Sequence, residues 1–133
     1  MIKRGDEVLE IFLEETADRL DSIESGLLNL EACGLDCGEE AINSIFRDAH
    51  SVKAGSNLLK LKNIEDLSHK LENVLEMIRR DKILPSEIII TACLESVDKL
   101  RELIENIENS ETISIRLHTH MLEMAVQKTL EKG

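Results

Sequence analysis

Apolar side chains recur at steps of three and four along almost the whole chain, a spacing that folds as amphipathic helix and not as strand. Leu9, Phe12, Thr16, Leu20, Ile23, Leu27 and Leu30 mark the inner stripe of a first helix over 6–32. Glu7, Glu10, Glu14, Glu15 and Asp18 crowd its outer face toward the N-terminus, where the helix dipole favours them. Gly34 and the Asp36-Cys37-Gly38 turn end it. A second helix over 39–60 follows, with Ile42, Ile45, Phe46, Ala49, Val52 and Ser56 inward. Asn63, with Asp66 three residues on, reads as the N-cap of a third helix over 64–81. Its stripe is Ile64, Leu67, Leu71, Val74, Leu75 and Ile78, and Arg79, Arg80 and Lys82 suit its C-terminal dipole. Pro85-Ser86 opens a fourth helix over 86–108, with Ile90, Leu94, Val97, Leu100 or Arg101, Ile104 and Ile107 along one side. Asn109 and Ser110 break the pattern, and Ile113, Leu117, Met121 and Met124 predict a fifth helix over 113–130.

Composition agrees with helix. Charged residues make up 32%, rich in Glu and Lys, and aromatics only 2%, so Ile and Leu must supply the core. Helices of about twenty residues are about 30 Å long. The short joints between them make sequential neighbours antiparallel. The expected fold is therefore all-α: an antiparallel up-and-down four-helix bundle with a fifth, C-terminal helix, the 133 residues forming one domain over 1–133. The ending Glu131-Lys132-Gly133 is abrupt and compatible with a chain cut from a longer one.

The formal net charge of −11 repels phosphate backbones and anionic headgroups. We therefore expect no nucleic acid and no membrane as partner, and a protein instead. No apolar run reaches the roughly eighteen residues of a membrane span, and no signal-peptide pattern opens the chain. Cys33, Cys37 and Cys93 are an odd number and give no disulfide framework, which fits a reducing cytoplasm. No Gly-rich nucleotide loop occurs, and the chain has no room for an ATP-binding domain.

Two groups of residues could carry chemistry. His50 lies roughly 100° from the centre of the second helix's apolar face, at the edge between core and water. Lys53 is one turn further on, and small residues follow at Ala54 and Gly55. On the third helix, His69 and Glu72 are three apart and project from nearly one side. If these two helices pair as a hairpin, Glu72 can hold one ring nitrogen of His50 and leave the other as an outward nucleophile. Lys53 can then neutralise an arriving phosphoryl group. Each residue also has a plain role: His50 and His69 as boundary residues, Glu72 as a solvated glutamate, Lys53 as a surface charge covering the core with its stem. Spacing alone does not choose.

The runs Ala49-His50-Ser51-Val52-Lys53-Ala54-Gly55-Ser56 and His69-Lys70-Leu71-Glu72-Asn73 resemble the signature of histidine phosphotransfer (HPt) domains, an A-H-S-[IVL]-K-G-[small]-[small] run with a downstream H-x-[LM]-E-N. The similarity is greatest to the N-terminal domain of CheA-type chemotaxis histidine kinases. It extends to Ile11-Phe12-Leu13-Glu14-Glu15 and to Pro85-Ser86 entering a helix with Val97-Asp98, nearly the whole chain. The resemblance implies four helices plus a fifth. It implies that His50 is the phosphoryl acceptor, that Glu72 orients its ring, and that Lys53 and His69 complete the polar surround. It implies two partners, the ATP-binding domain of a histidine kinase and a response-regulator receiver domain such as CheY. No cofactor is implied for the domain itself, ATP and Mg²⁺ being used by the partner kinase domain. Ala54 stands where the family usually has Gly, and Asn57-Leu58 replaces smaller residues. Ala54, Gly55 and Asn57 are thus candidate docking positions, and Asn57 is a candidate donor to a phosphoryl oxygen.

Three other functions fit parts of the pattern. A carboxylate-bridged metal bundle uses Glu-x-x-His pairs, of which Asp66-x-x-His69 is a single near miss. A zinc site from Cys33, Cys37, His118 and His120 has suitable ligand types, but histidines at i and i+2 on a helix diverge by about 200°. A helical adaptor without phosphorylation would keep the fold but has no physical need for His50, Lys53, His69 and Glu72 together.

Overall fold

A computed structural model describes residues 6–34 and 38–132. Five α-helices follow in order: α1 (Glu7–Cys33), α2 (Glu39–Leu58), α3 (Lys62–Arg79), α4 (Glu87–Glu105) and α5 (Arg116–Lys132), with a 3-10 segment (Ile107–Thr112) between the last two. α1 packs on α2 and α4, α2 on α3, and α3 on α4, which closes a ring of four. α5 lies outside the ring against α4 and α3. The expected all-α bundle of four helices and a fifth is what forms. The Asp36-Cys37 turn predicted to end the first helix lies outside the described residues.

Helix starts follow local chemistry at two places. The Asp6 side chain accepts from the Leu9 amide at 3.1 Å, and that of Ser86 from Ile89 at 3.4 Å, each occupying an amide that the helix itself cannot. Leu9, Leu20, Ile23, Leu27, Ile45, Ile64, Leu67, Leu71, Leu75, Ile89, Ile90 and Leu100 are fully buried. Burying each such side chain contributes about 1.5–3 kcal/mol. α1 and α2 approach closely through two glycines. A Cβ on Gly26 would stand 2.2 Å from Ile45 Cγ2, and one on Gly55 would stand 2.9 Å from Phe12 Cε1. Leu13, not Phe12, completes the buried stripe of α1, because Phe12 turns toward Gly55.

Four expectations need correction. Asn63 is not the N-cap of the third helix. α3 starts earlier, at Lys62, and its cap position, Leu61, makes no side-chain bond. The Glu111 carboxylate takes the first amides instead, Lys62 N at 2.6 Å and Asn63 N at 3.0 Å, while Asn63 Nδ2 donates to the Ser110 and Ile113 carbonyls. A carboxylate from a distant segment thus replaces the local capping box. The fourth helix ends at Glu105, because 107–112 tightens into the 3-10 segment that carries Glu111. α5 starts at Arg116 with a different inner face. Ile115, Leu122 and Ala125 are buried, whereas Leu117 and Met124 are exposed. Ile113 is extended, so the helix begins later and packing on α4 sets its phase. Finally, Cys33 is disulfide-bonded despite the odd cysteine count, while Cys93 is a free thiol inside the core, its pKa pushed up to about 12 by desolvation.

Candidate functional site: the outer edge between α2 and α3

α2 and α3 run side by side, and their facing edges carry a row of polar side chains above the apolar seam. His50 Nδ1 lies 2.5 Å from Glu72 Oε2, and Lys53 Nζ donates to Glu72 Oε1 at 2.6 Å. Both oxygens of one carboxylate are therefore occupied. Burial alone would raise the Glu72 pKa, but the bonds from Lys53 and His50 outweigh it and hold the group below its ordinary value. Glu72 is therefore ionised at neutral pH. An ionised carboxylate only accepts, so in the neutral imidazole the proton sits on Nδ1 and Nε2 carries the lone pair.

Exposure differs sharply across this pair. The Glu72 side chain is 8% exposed and that of His50 57%. The anion is anchored inside the wall of the bundle, and the ring it holds stands in water. Phe46, one turn before His50, lies with its ring 6.4 Å from the imidazole centroid and 20° from its plane. The Arg79 guanidinium sits 4.4 Å from the Phe46 ring centroid.

The remaining sequence candidates separate. Ala54 is exposed. Gly55 is half-buried and faces Phe12, so its missing side chain lets α1 approach α2 and leaves no space for an incoming group. Asn57 is exposed, but its Nδ2 donates to Glu65 Oε2 at 2.6 Å, so the amide is engaged within the edge and is not a free donor. His69 is exposed and lines a shallow groove between α3 and α5 with Asn63, Asp66, Asn73 and Arg116. No hydrogen bond joins it to His50 or Glu72 among the described residues. Nor does any group of three or more His, Cys, Asp or Glu among those residues converge as metal ligands.

A model of the Hpt domain matches residues 7–110. The chain belongs to the Hpt domain family. It is 33% identical over 97 residues to the chemotaxis protein CheA of Rhizobium meliloti, covering 73% of this chain and 12% of that protein. It is 30% identical over 122 residues to CheA of Klebsiella aerogenes, covering 92% of this chain and 18% of that one. The chain thus spans less than a fifth of the length of these relatives. Its fold is similar to that of the phosphorylated P1 domain of CheA3 from R. sphaeroides, solved in complex with CheY6. The TM-score is 0.80 at 22% identity, covering 93% of this chain and 98% of that one. The CheA phosphotransferase domain from Thermotoga maritima gives a TM-score of 0.71 at 28% identity, covering 77% and 98%.

For this Hpt domain the sequence missed Phe46 and Arg79 at the site. A signal for Phe46 was present, since an aromatic four residues before a helical histidine shares its face. Arg79 gave none, because its approach to Phe46 depends on how α2 and α3 pack against each other.

Proposed function

We propose that this Hpt domain accepts a phosphoryl group on His50 Nε2 from the ATP-binding domain of a histidine kinase. It then hands the group to an aspartate of a response-regulator receiver domain such as CheY, in a CheA-type chemotaxis system. The observation that carries this is the buried Glu72 carboxylate bonded to His50 Nδ1, with the ring half in water.

The chemistry follows from that bond. The Nε2 lone pair attacks the γ-phosphorus of ATP, the N–P bond forms, the P–O bond to the β-phosphate breaks, and the electron pair leaves with ADP. Positive charge that develops on the ring is shared through Nδ1–H with the Glu72 carboxylate, so no proton need leave during the step. Lys53, one turn along from His50 with its Nζ 2.6 Å from Glu72 Oε1, supplies the positive charge that screens the transferred group. In the second step a receiver carboxylate oxygen bonds to phosphorus and the N–P electron pair returns to Nε2. ATP and its Mg²⁺ belong to the partner proteins; this chain supplies the nucleophile and its orientation. Need of ATP puts the reaction in the cytoplasm. Exposed Ala54, with Leu58 one turn further on, forms the face that a partner meets beside His50. Residues 1–133 act as one carrier domain, a reading supported by the packing of α5 on α3 and α4 beyond residue 110.

The test is incubation with a CheA-type kinase core and γ-labelled ATP. We expect an acid-labile, base-stable phosphoryl group on the wild-type domain, none on His50→Gln, and loss of the label when a cognate receiver is added. Label that survives His50→Gln overturns the assignment.

A further inference from the structure

A single hydrogen bond at Nδ1 does not fix the imidazole. The ring moves by χ1 and χ2, one hydrogen bond leaves play in both, and Nε2 on the far side of the ring moves with them. The core does not restrain it, because the His50 side chain is 57% exposed. Something else must set the plane of the ring if Nε2 is to point one way. Only short distances of misplacement are tolerated in an in-line transfer.

We propose that Phe46 is a positioning residue for His50, and that Arg79 braces it. Phe46 sits four residues before His50 on the same edge of α2, so helix geometry puts the two rings together. Their planes are 20° from parallel at a centroid separation of 6.4 Å, within the range of offset aromatic pairs. Phe46 is itself held from two sides. Part of its ring packs against the apolar core. The Arg79 guanidinium of α3 lies 4.4 Å from its centroid, within cation–π distance. Arg79 in turn is fixed by a two-pronged pair with Glu76, Nε to Oε1 at 2.7 Å and Nη2 to Oε2 at 2.9 Å. A rigid line therefore runs Glu76, Arg79, Phe46, His50. It meets the imidazole as an offset, near-parallel ring, while Glu72 meets it at its Nδ1 edge. The two contacts restrain the ring from different directions, one through Glu72 of α3 and the other through Phe46 of α2, which Arg79 of α3 braces.

The rate arm of the test rests on the carrier function proposed above; the spectroscopic arm does not. In Phe46→Leu, apolar volume against the core is kept and the ring is lost. We expect phosphorylation of His50 to fall about tenfold in kcat with KM for the kinase unchanged. We also expect the Nδ1 proton, observed by NMR of ¹⁵N-labelled protein, to exchange with solvent about tenfold faster. Phe46→Tyr restores the ring and should restore both readouts, which a general packing role would not require. Unchanged kcat and unchanged Nδ1 exchange in folded Phe46→Leu overturn the proposal. If Phe46→Leu does not fold, Arg79→Met decides, since it leaves Phe46 in place; two- to threefold changes in the same two readouts support the proposal and no change overturns it. If the wild-type domain takes no label at all, the carrier function fails, and the Nδ1 exchange still decides the role of Phe46.

Discussion

The α2–α3 edge and the α4–α5 seam are both contacts between antiparallel helices, yet they differ in what they bury, a carboxylate at the first and apolar side chains at the second. Along the first, polar groups meet in sequence, Asn57 with Glu65 and then Lys53 and His50 with Glu72, and Arg79 lies over the Phe46 ring beyond them. At the second, α5 buries Leu122 and Ala125, while α4, which packs on α1 and α3 as well, buries Ile89, Ile90, Ala92, Cys93, Ser96 and Val97. Its cross-helix hydrogen bond, Ser86 Oγ with Thr129 Oγ1, lies near one end. The lesson is a division of labour. Apolar contacts are non-directional and hold helices together without caring about charge. Charged pairs join other helices as well, Arg101 of α4 with Asp21 and Glu24 of α1 among them, but at the α2–α3 edge they converge on one buried carboxylate that holds an exposed histidine.

That contrast can be broken by substitution. Leu122→Ala removes a fully packed side chain from the α4–α5 seam and should cost about 2–5 kcal/mol, read as a lower urea midpoint. Phosphoryl acceptance per folded molecule should not change. If the rate falls as far as it does for Glu72 variants, the two regions are coupled and the division fails.

Glu72→Gln tests the other side. Its amide can donate to His50 Nδ1, which places the ring proton on Nε2 and blocks the nucleophile. Acceptance should fall on the order of 100-fold in a single-turnover assay, with the helix content seen by circular dichroism retained. A pH dependence follows as well. The folded-state pKa of Glu72 lies below its ordinary 4.5, so its stabilising contribution is present above pH 4.5 and is lost as pH falls through the folded value. The gap in urea midpoint between wild type and Glu72→Gln should therefore narrow below pH 4.5. A gap that is constant from pH 7 to 3 would mean that the carboxylate charge is not what the edge uses.

The smallest effect is expected at Asn57→Ala. Its bond to Glu65 is exposed, so stability should move by no more than about 0.5 kcal/mol. Acceptance should hold near the wild-type rate, because the amide faces Glu65. A large rate loss would return Asn57 to the role of a donor to the phosphoryl group and extend the working part of the edge by one turn.

Helix number, order and most inner faces were legible in the sequence, because hydrophobic spacing of 3.6 residues is a local property. So were His50, Lys53 and Glu72, whose places at the margin of their apolar stripes follow from angle alone. Three features depended on where helices meet. The cap of α3 comes from Glu111, 49 residues from Lys62 along the chain, so no local signal could reveal it. The inner face of α5 is chosen by α4, and the weak stripe of Ile113, Leu117, Met121 and Met124 pointed elsewhere. Gly55 looked like open space for a partner and is filled by Phe12 from α1. The sequence by itself determined that the chain is a helical bundle with a histidine and a carboxylate on the margins of two neighbouring helices. Tertiary structure decided that they bond, that Lys53 shares the carboxylate, and that Arg79 lies over the Phe46 ring beside the imidazole. Periodicity sets the direction in which a side chain leaves its own helix, but the distance between side chains on two helices is set by how those helices pack.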